Sequence, residues 1–211
     1  MTKKQKATKI INILKNEYPE VKCALIYKKP HELLIATRLS AQCTDKRVNL
    51  VTPDMFSRFP EIKDFAEAEV SEIENYIRSC GLYKTKAKDI SEMCKILHSK
   101  YNDTVPDTIE ELTKLPGVGR KTANLICGDL YGKPAYVCDT HVIRLTNRLG
   151  IAVGKDAFSV EKQLMELIPA DESLNFCHRL VWHGRLVCNA RKPDCEKCVL
   201  NTLCENNKNN N

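Results

Sequence analysis

No stretch of the 211-residue chain approaches the roughly 18 consecutive apolar residues that a membrane-spanning helix requires. That excludes an integral helical membrane protein. The N-terminus also lacks an apolar secretory core: Met1-Thr2-Lys3-Lys4-Gln5-Lys6 is charged and no such run follows it. The chain is therefore expected to stay in a reducing compartment, where disulfides do not persist. Strand patterning is nearly missing too. The one apolar run that could form a strand, Val21 to Tyr27, is short and partnerless, and reads better as an extended linker or part of a helix. Charge of a single sign is scarce: 33 Lys and Arg against 27 Asp and Glu give +6, a mild hint of an anionic partner, with nucleic acid one candidate. The hydrophobic content of 43% suffices for one good core or two smaller lobes.

What is present is helical periodicity. Apolar residues recur at helical intervals at Ile10, Ile11, Ile13 and Leu14, at Ile90, Met93, Cys94 and Leu97, at Val142, Leu145 and Leu149, and at Val160, Leu164 and Leu167. The spacing predicts an all-α protein. Capping residues precede several segments: Thr44-Asp45 before Lys46, Thr108 before Ile109-Glu110-Glu111, and Asp139-Thr140 before His141. Pro53 should end or kink a helix, and the Asn-rich tail from Glu205 to Asn211 is expected to be disordered.

Cysteine is plentiful, at eleven residues. Cys188, Cys195, Cys198 and Cys204 stand at the spacing C-x6-C-x2-C-x5-C. Such a packing in a reducing compartment asks for a metal or a cluster. Structural zinc usually takes two short C-x2–4-C knuckles, and only Cys195-x2-Cys198 is one, so the uneven spacing favours [4Fe–4S] while leaving zinc open. Scattered thiols are a third reading, because Cys23, Cys80, Cys94, Cys127 and Cys177 sit in or beside apolar stretches like ordinary core residues.

Leu115-Pro116-Gly117-Val118-Gly119-Arg120-Lys121-Thr122-Ala123 follows one helical segment, Ile109 to Lys114, and opens another that runs to Tyr131. Pro116 biases Leu115 out of the helical region, and two glycines one residue apart permit a sharp turn. The N–H groups at the head of the second helix can then hold a phosphate. The pattern lacks the four-residue spacer of a P-loop and the preceding strand of a dinucleotide fingerprint, so a nucleic-acid backbone is the better ligand. A plain helix–turn–helix connection is the bland alternative.

Taken together, Leu39-Ser40-Ala41-Gln42 with Thr44-Asp45, Gly81-Leu82-Tyr83, Leu115 to Ala123, Asp139-Thr140-His141, His183-Gly184-Arg185 and the four cysteines make the chain similar to the endonuclease III family of DNA glycosylases. The resemblance runs through most of the sequence. It implies a helix–hairpin–helix glycosylase fold with two helical lobes, a barrel domain over residues 23–134 and an iron–sulfur domain from 1–22 and 135–211, with duplex DNA in the cleft between them. It implies a bifunctional DNA N-glycosylase and abasic-site lyase of base excision repair that removes oxidised pyrimidines and cleaves 3′ of the abasic site by β-elimination.

The family's functional positions carry over residue by residue. Lys121 matches the nucleophile, because an amine can displace the base and remain as a Schiff base. It must be neutral to attack, and the helix dipole, Arg120 and partial burial are expected to favour that form. Asp139 matches the catalytic aspartate, although its sequence context also reads as an N-cap; His141 is expected to pack or orient its neighbours. Gln42 and Leu82 match the wedge that fills the space left by the extruded nucleotide, and Asp45 the lesion pocket. Gly117, Val118, Gly119 and Arg120 are expected DNA contacts, as are Arg191 and Lys192 on the loop between the first two cysteines. Cys188, Cys195, Cys198 and Cys204 would hold the [4Fe–4S] cluster. A monomer is expected, in the cytoplasm and associated with the nucleoid in a prokaryote, or in the nucleus of a eukaryote. Two rivals stand beside this reading. One is a monofunctional adenine glycosylase, which lacks the lysine and carries a further C-terminal domain; the other is a non-catalytic helix–hairpin–helix DNA-binding protein with structural zinc.

Overall fold

A computed structural model of the chain describes residues 1–208, and among them there is no strand. The helices are α1 (Lys3–Glu17), α2 (Pro30–Leu39), α3 (Asp45–Arg58), α4 (Ile62–Glu67), α5 (Val70–Ile77), α6 (Tyr83–Tyr101), α7 (Ile109–Leu112), α8 (Arg120–Tyr131), α9 (Thr140–Leu149), α10 (Ala157–Leu167), α11 (Ser173–Leu186) and α12 (Glu205–Lys208). They fall into two compact units, one of Cys23–Tyr131 and the other of Met1–Lys22 with Gly132–Asn211.

In the Cys23–Tyr131 unit, α2 is the central element. Every residue from His31 to Leu39 except Arg38 is buried, as a helix apolar nearly all round must be. Pro30 opens it at a position where a missing N–H costs nothing. The Glu32 carboxylate caps it by accepting from the N–H groups of Lys28 (2.6 Å) and Lys29 (3.2 Å). Phe65 of α4 packs against Phe59 at 4.9 Å between ring centroids and edge-on to His31 at 6.5 Å. The predicted stripe of Ile90, Met93, Cys94 and Leu97 on α6 is fully buried where that helix packs on α4 and α5.

In the other unit, α1 and α9 pack on α11. Thr2 and Gln5 close a capping box at the start of α1.

Three expectations need correction or refinement. α3 continues through Pro53 instead of ending there: Pro53 lies on the exposed face, and the buried side chains of Val48, Thr52 and Met55 on either side of it outweigh one lost backbone hydrogen bond. Val21 to Tyr27 forms neither strand nor helix. The tail was expected to be disordered, yet Glu205–Lys208 forms the helical turn α12, because the Glu205 carboxylate meets the largely buried ammonium of Lys6 at 2.8 Å. Residues 209–211 lie outside the described residues.

Candidate active site

The hairpin is built on its apolar residues. Thr108 caps α7 by accepting from Glu111 N–H at 3.3 Å. The chain then turns through hydrogen bonds from Leu115 N–H to Leu112 C=O (3.1 Å) and from Val118 N–H to Leu115 C=O (3.2 Å). Leu115 and Val118 are buried at 3% and 6% exposure and tie the turn to the core. Val118, expected to contact DNA, therefore spends both its side chain and its N–H inside the protein. Gly117 has φ +73° and rests on the ion pair between Arg38 and Asp89 (2.6 Å). A Cβ there would stand 2.5 Å from Arg38 Nε and 2.9 Å from Asp89 Oδ2, so a side chain would strain the backbone and push the ion pair aside. Gly119 is different: a Cβ there would meet nothing within 4 Å.

Gly119, Arg120 and Lys121 are all exposed at the head of α8, where the first N–H groups of a helix have no partner within it. The partial burial expected of Lys121 is not found. It lies one residue inside α8.

Gln42 and Leu82 are exposed tips of their loops. Gln42, beyond the end of α2, has φ +54°; Leu82, just before α6, has φ +47° and is 57% exposed. Left-handed backbone is uncommon for either residue type, and such strain gathers at functional sites. Asp45 opens α3 behind Thr44, whose hydroxyl accepts from Arg47 N–H at 3.2 Å. Thr44 does the capping, and Asp45 adds a carboxylate at the positive end of the helix.

In the other unit Asp139 is the N-cap of α9, its Oδ1 accepting from the N–H groups of His141 (2.8 Å) and Val142 (2.9 Å). Two arginines further along α9, unnoticed in the sequence, govern the cysteine loop. Arg144 donates to the carbonyls of Gly184 and Cys188, each at 3.0 Å. Arg148 donates to the carbonyls of Asn189 (2.9 Å) and Ala190 (2.8 Å) and to Cys188 Sγ (3.1 Å). Gly184 lets α11 approach, since a Cβ on it would lie 2.8 Å from His141 Nδ1. The only sequence signal for the arginines was their i,i+4 spacing on an amphipathic helix.

Cys188, Cys195, Cys198 and Cys204 line one small cavity of about 20 Å³, and every cysteine of the chain is free of disulfides. His183 Nε2 lies 3.3 Å from Cys198 Sγ, and its Nδ1 3.0 Å from the Tyr18 hydroxyl. Burial lowers the His183 pKa to about 4, so the ring is neutral, with one nitrogen to give a proton and one to take one. Among the described residues no three Cys, His, Asp or Glu side chains close on a single ion. A tetrahedral zinc with Zn–S near about 2.3 Å needs its thiolates almost touching. Arg191 and Lys192 are exposed on the loop between Cys188 and Cys195.

The profile of the HhH-GPD superfamily of base excision DNA repair proteins matches residues 35–170. Endonuclease III of Synechocystis sp. is 47% identical over 204 residues, covering 96% of this chain and 93% of its own. Endonuclease III of Escherichia coli is 39% identical, covering 96% of each. The structure of a trapped endonuclease III–DNA covalent intermediate superposes with a TM-score of 0.94 at 42% identity, covering 100% of this chain and 99% of the other. A thermostable thymine-DNA glycosylase, at 23% identity and a TM-score of 0.86, shares the fold. The chain belongs to the endonuclease III family.

Proposed function

We propose that this protein excises oxidised pyrimidines from duplex DNA and cleaves the resulting abasic strand, with Lys121 as nucleophile and Asp139 as its carboxylate partner in the chemistry. As a member of its family the protein is a DNA glycosylase with abasic-site lyase activity in base excision repair; the assignment of roles to residues is our own. The lysine amine attacks the sugar C1′, and the base leaves with the electron pair of the glycosidic bond. Loss of one amine proton leaves an aminal, and breaking of the C1′–O4′ bond, with O4′ taking up a proton, opens the sugar to a Schiff base, which acidifies the C2′ proton; its removal expels the 3′ phosphate. The Asp139 carboxylate supports the positive charge that develops on the sugar and handles protons. Gly119 and Arg120 take the DNA backbone, Gln42 and Leu82 fill the vacated stack, and Asp45 lies in the lesion pocket.

Cys188, Cys195, Cys198 and Cys204 would hold a [4Fe–4S] cluster, which when bound ties down the Asn189–Asp194 loop so that Arg191 and Lys192 reach phosphates. Arg148 presents an N–H group to the Cys188 sulfur and a His183 ring nitrogen lies beside the Cys198 sulfur, the kind of support a thiolate ligand requires. Iron and acid-labile sulfide in the purified protein are expected; zinc without iron would overturn this assignment.

The observation that carries the reading is the exposed amine of Lys121, one residue inside α8 and directly behind the Gly117–Gly119 turn. Borohydride should trap the protein covalently on a duplex containing an oxidised thymine, and Lys121→Ala should abolish trapping. Intact duplex binding by the wild type without any crosslink would refute the lyase chemistry.

A further inference from the structure

Lys86 lies on the inward face of α6 with no exposed surface. Its ammonium donates to the carbonyl of Leu39 at 2.8 Å and to that of Cys80 at 2.8 Å. Leu39 is the last residue of α2, three before Gln42. Cys80 ends the 3-10 turn Arg78–Cys80, two before Leu82. One nitrogen thus fastens the roots of both exposed loops, and their two carbonyl oxygens can be no farther apart than twice 2.8 Å.

A buried ammonium is costly. Desolvation works against its charge and lowers its pKa, and an aliphatic side chain at this point of the Ile90, Met93 and Leu97 stripe would avoid that cost. What an aliphatic residue cannot do is bond carbonyls left without partners where a helix stops. A cation at two helix C-termini satisfies those carbonyls and meets the negative end of each helix. The loops it anchors carry Gln42 and Leu82 in left-handed backbone, a conformation that persists only where the surroundings hold it.

We infer that Lys86 is a positioning residue for nucleotide extrusion: it fixes the Gln42 and Leu82 loops relative to each other, so that both side chains enter the base stack as one wedge. This rests on the reading of Gln42 and Leu82 as DNA-inserting residues. Extrusion costs a few kcal/mol, and a wedge whose two parts move independently would have to be ordered on the DNA at the expense of affinity.

The test uses the whole protein and a double-mutant cycle. Lys86→Met, which keeps the length and removes the donors, is compared with Gln42→Ala/Leu82→Ala and with the triple variant. The readouts are affinity for a duplex carrying a reduced abasic-site analogue, and the fluorescence of 2-aminopurine opposite it as a signal of unstacking. Borohydride trapping on single-stranded abasic DNA, which needs no extrusion, is the third. We expect Lys86→Met to lose about tenfold more on the duplex than on the single strand, to dim the unstacking signal, and to add little loss in the triple variant, because one mechanism is already gone.

Equal losses on duplex and single strand, or an additive loss in the triple variant, would mean Lys86 serves the core alone and would overturn the inference. Lys86→Gln, which keeps a neutral donor, is expected to fall between wild type and Lys86→Met, and is read by the same criteria should the methionine variant not fold. If Gln42→Ala/Leu82→Ala itself binds the analogue like wild type, the underlying assignment of the wedge fails, whatever Lys86 does.

Discussion

The two glycines of the hairpin should respond to alanine in opposite ways. At Gly117 the added methyl must enter a left-handed backbone and displace the Arg38 guanidinium and the Asp89 carboxylate, since its Cβ would lie 2.5 and 2.9 Å from their atoms. The backbone conformation alone costs about 1–2 kcal/mol for an alanine. Disturbing charged hydrogen bonds between side chains only 13% and 21% exposed adds about 1–3 kcal/mol, so Gly117→Ala should lose about 2–5 kcal/mol of stability.

At Gly119 the new methyl meets no atom within 4 Å and the residue lies outside the left-handed region. Stability should hold or rise by up to about 1 kcal/mol through the unfolded chain's reduced freedom. Nothing in the fold demands a glycine there; a phosphate approaching the helix head does. Blocking one charge-assisted hydrogen bond at about 1.5–3 kcal/mol weakens binding roughly ten- to hundredfold. Urea unfolding and anisotropy titration against an abasic-analogue duplex, at fixed salt because phosphate contacts weaken steeply with ionic strength, separate the two effects. Wild-type affinity in Gly119→Ala would refute the assignment of this turn to the DNA backbone.

Asp139→Asn keeps an N-cap of equal quality, so its unfolding midpoint should stay near wild type while single-turnover base removal slows by more than about a hundredfold; a parallel loss of stability and rate would reduce Asp139 to a cap. Asp139→Ala should add a stability loss of about 1 kcal/mol. His31 is buried with its Nε2 unpartnered, and burial is the main cause of its pKa falling below 6.5. Below that pH the unfolded chain binds a proton that the folded state resists, so stability falls as pH drops; His31→Leu should flatten the decline in urea midpoint between pH 7 and pH 5, and an unchanged slope would contradict the sign.

Helices and caps were legible in the sequence because their causes are local. Thr44, Thr108 and Asp139 each accept from an N–H within three residues, and the stripe on α6 repeats every turn. Partners distant in sequence were not legible. Glu205 was assigned to a disordered tail, and its cation is Lys6, 199 residues away. Lys86 stands between Lys84 and Lys88, which are exposed, in a stretch that looks like solvated charge. Its register gives it away: Ile90, Met93 and Leu97 lie four, seven and eleven residues on, so position 86 falls on the apolar face. A lysine found there signals a buried function. The pairing of Arg144 and Arg148 with the cysteine loop was hidden because all but one of its acceptors, Cys188 Sγ, are carbonyls, which no side-chain pattern records.

The same internally paired cations bear on the net charge. A value of +6 suggests a diffuse attraction to phosphate, but Lys86, Arg144 and Arg148 spend their donors on carbonyls inside their own units, Lys6 meets Glu205, and Arg38 meets Asp89. These charges stiffen loops, and the exposed groups those loops carry face the solvent. The salt dependence of DNA binding should therefore follow Arg120, Lys121, Arg191 and Lys192, which are exposed at a helix head or on the cysteine loop, and not the formal charge of the chain. Neutralising Lys192 should lower the slope of log affinity against log salt by about one phosphate's worth, roughly 0.9 on duplex DNA. Neutralising Arg144 should leave that slope in place and loosen the loop instead. If Arg144→Met and Lys192→Met changed the slope equally, the division between structural and DNA-facing cations would be wrong.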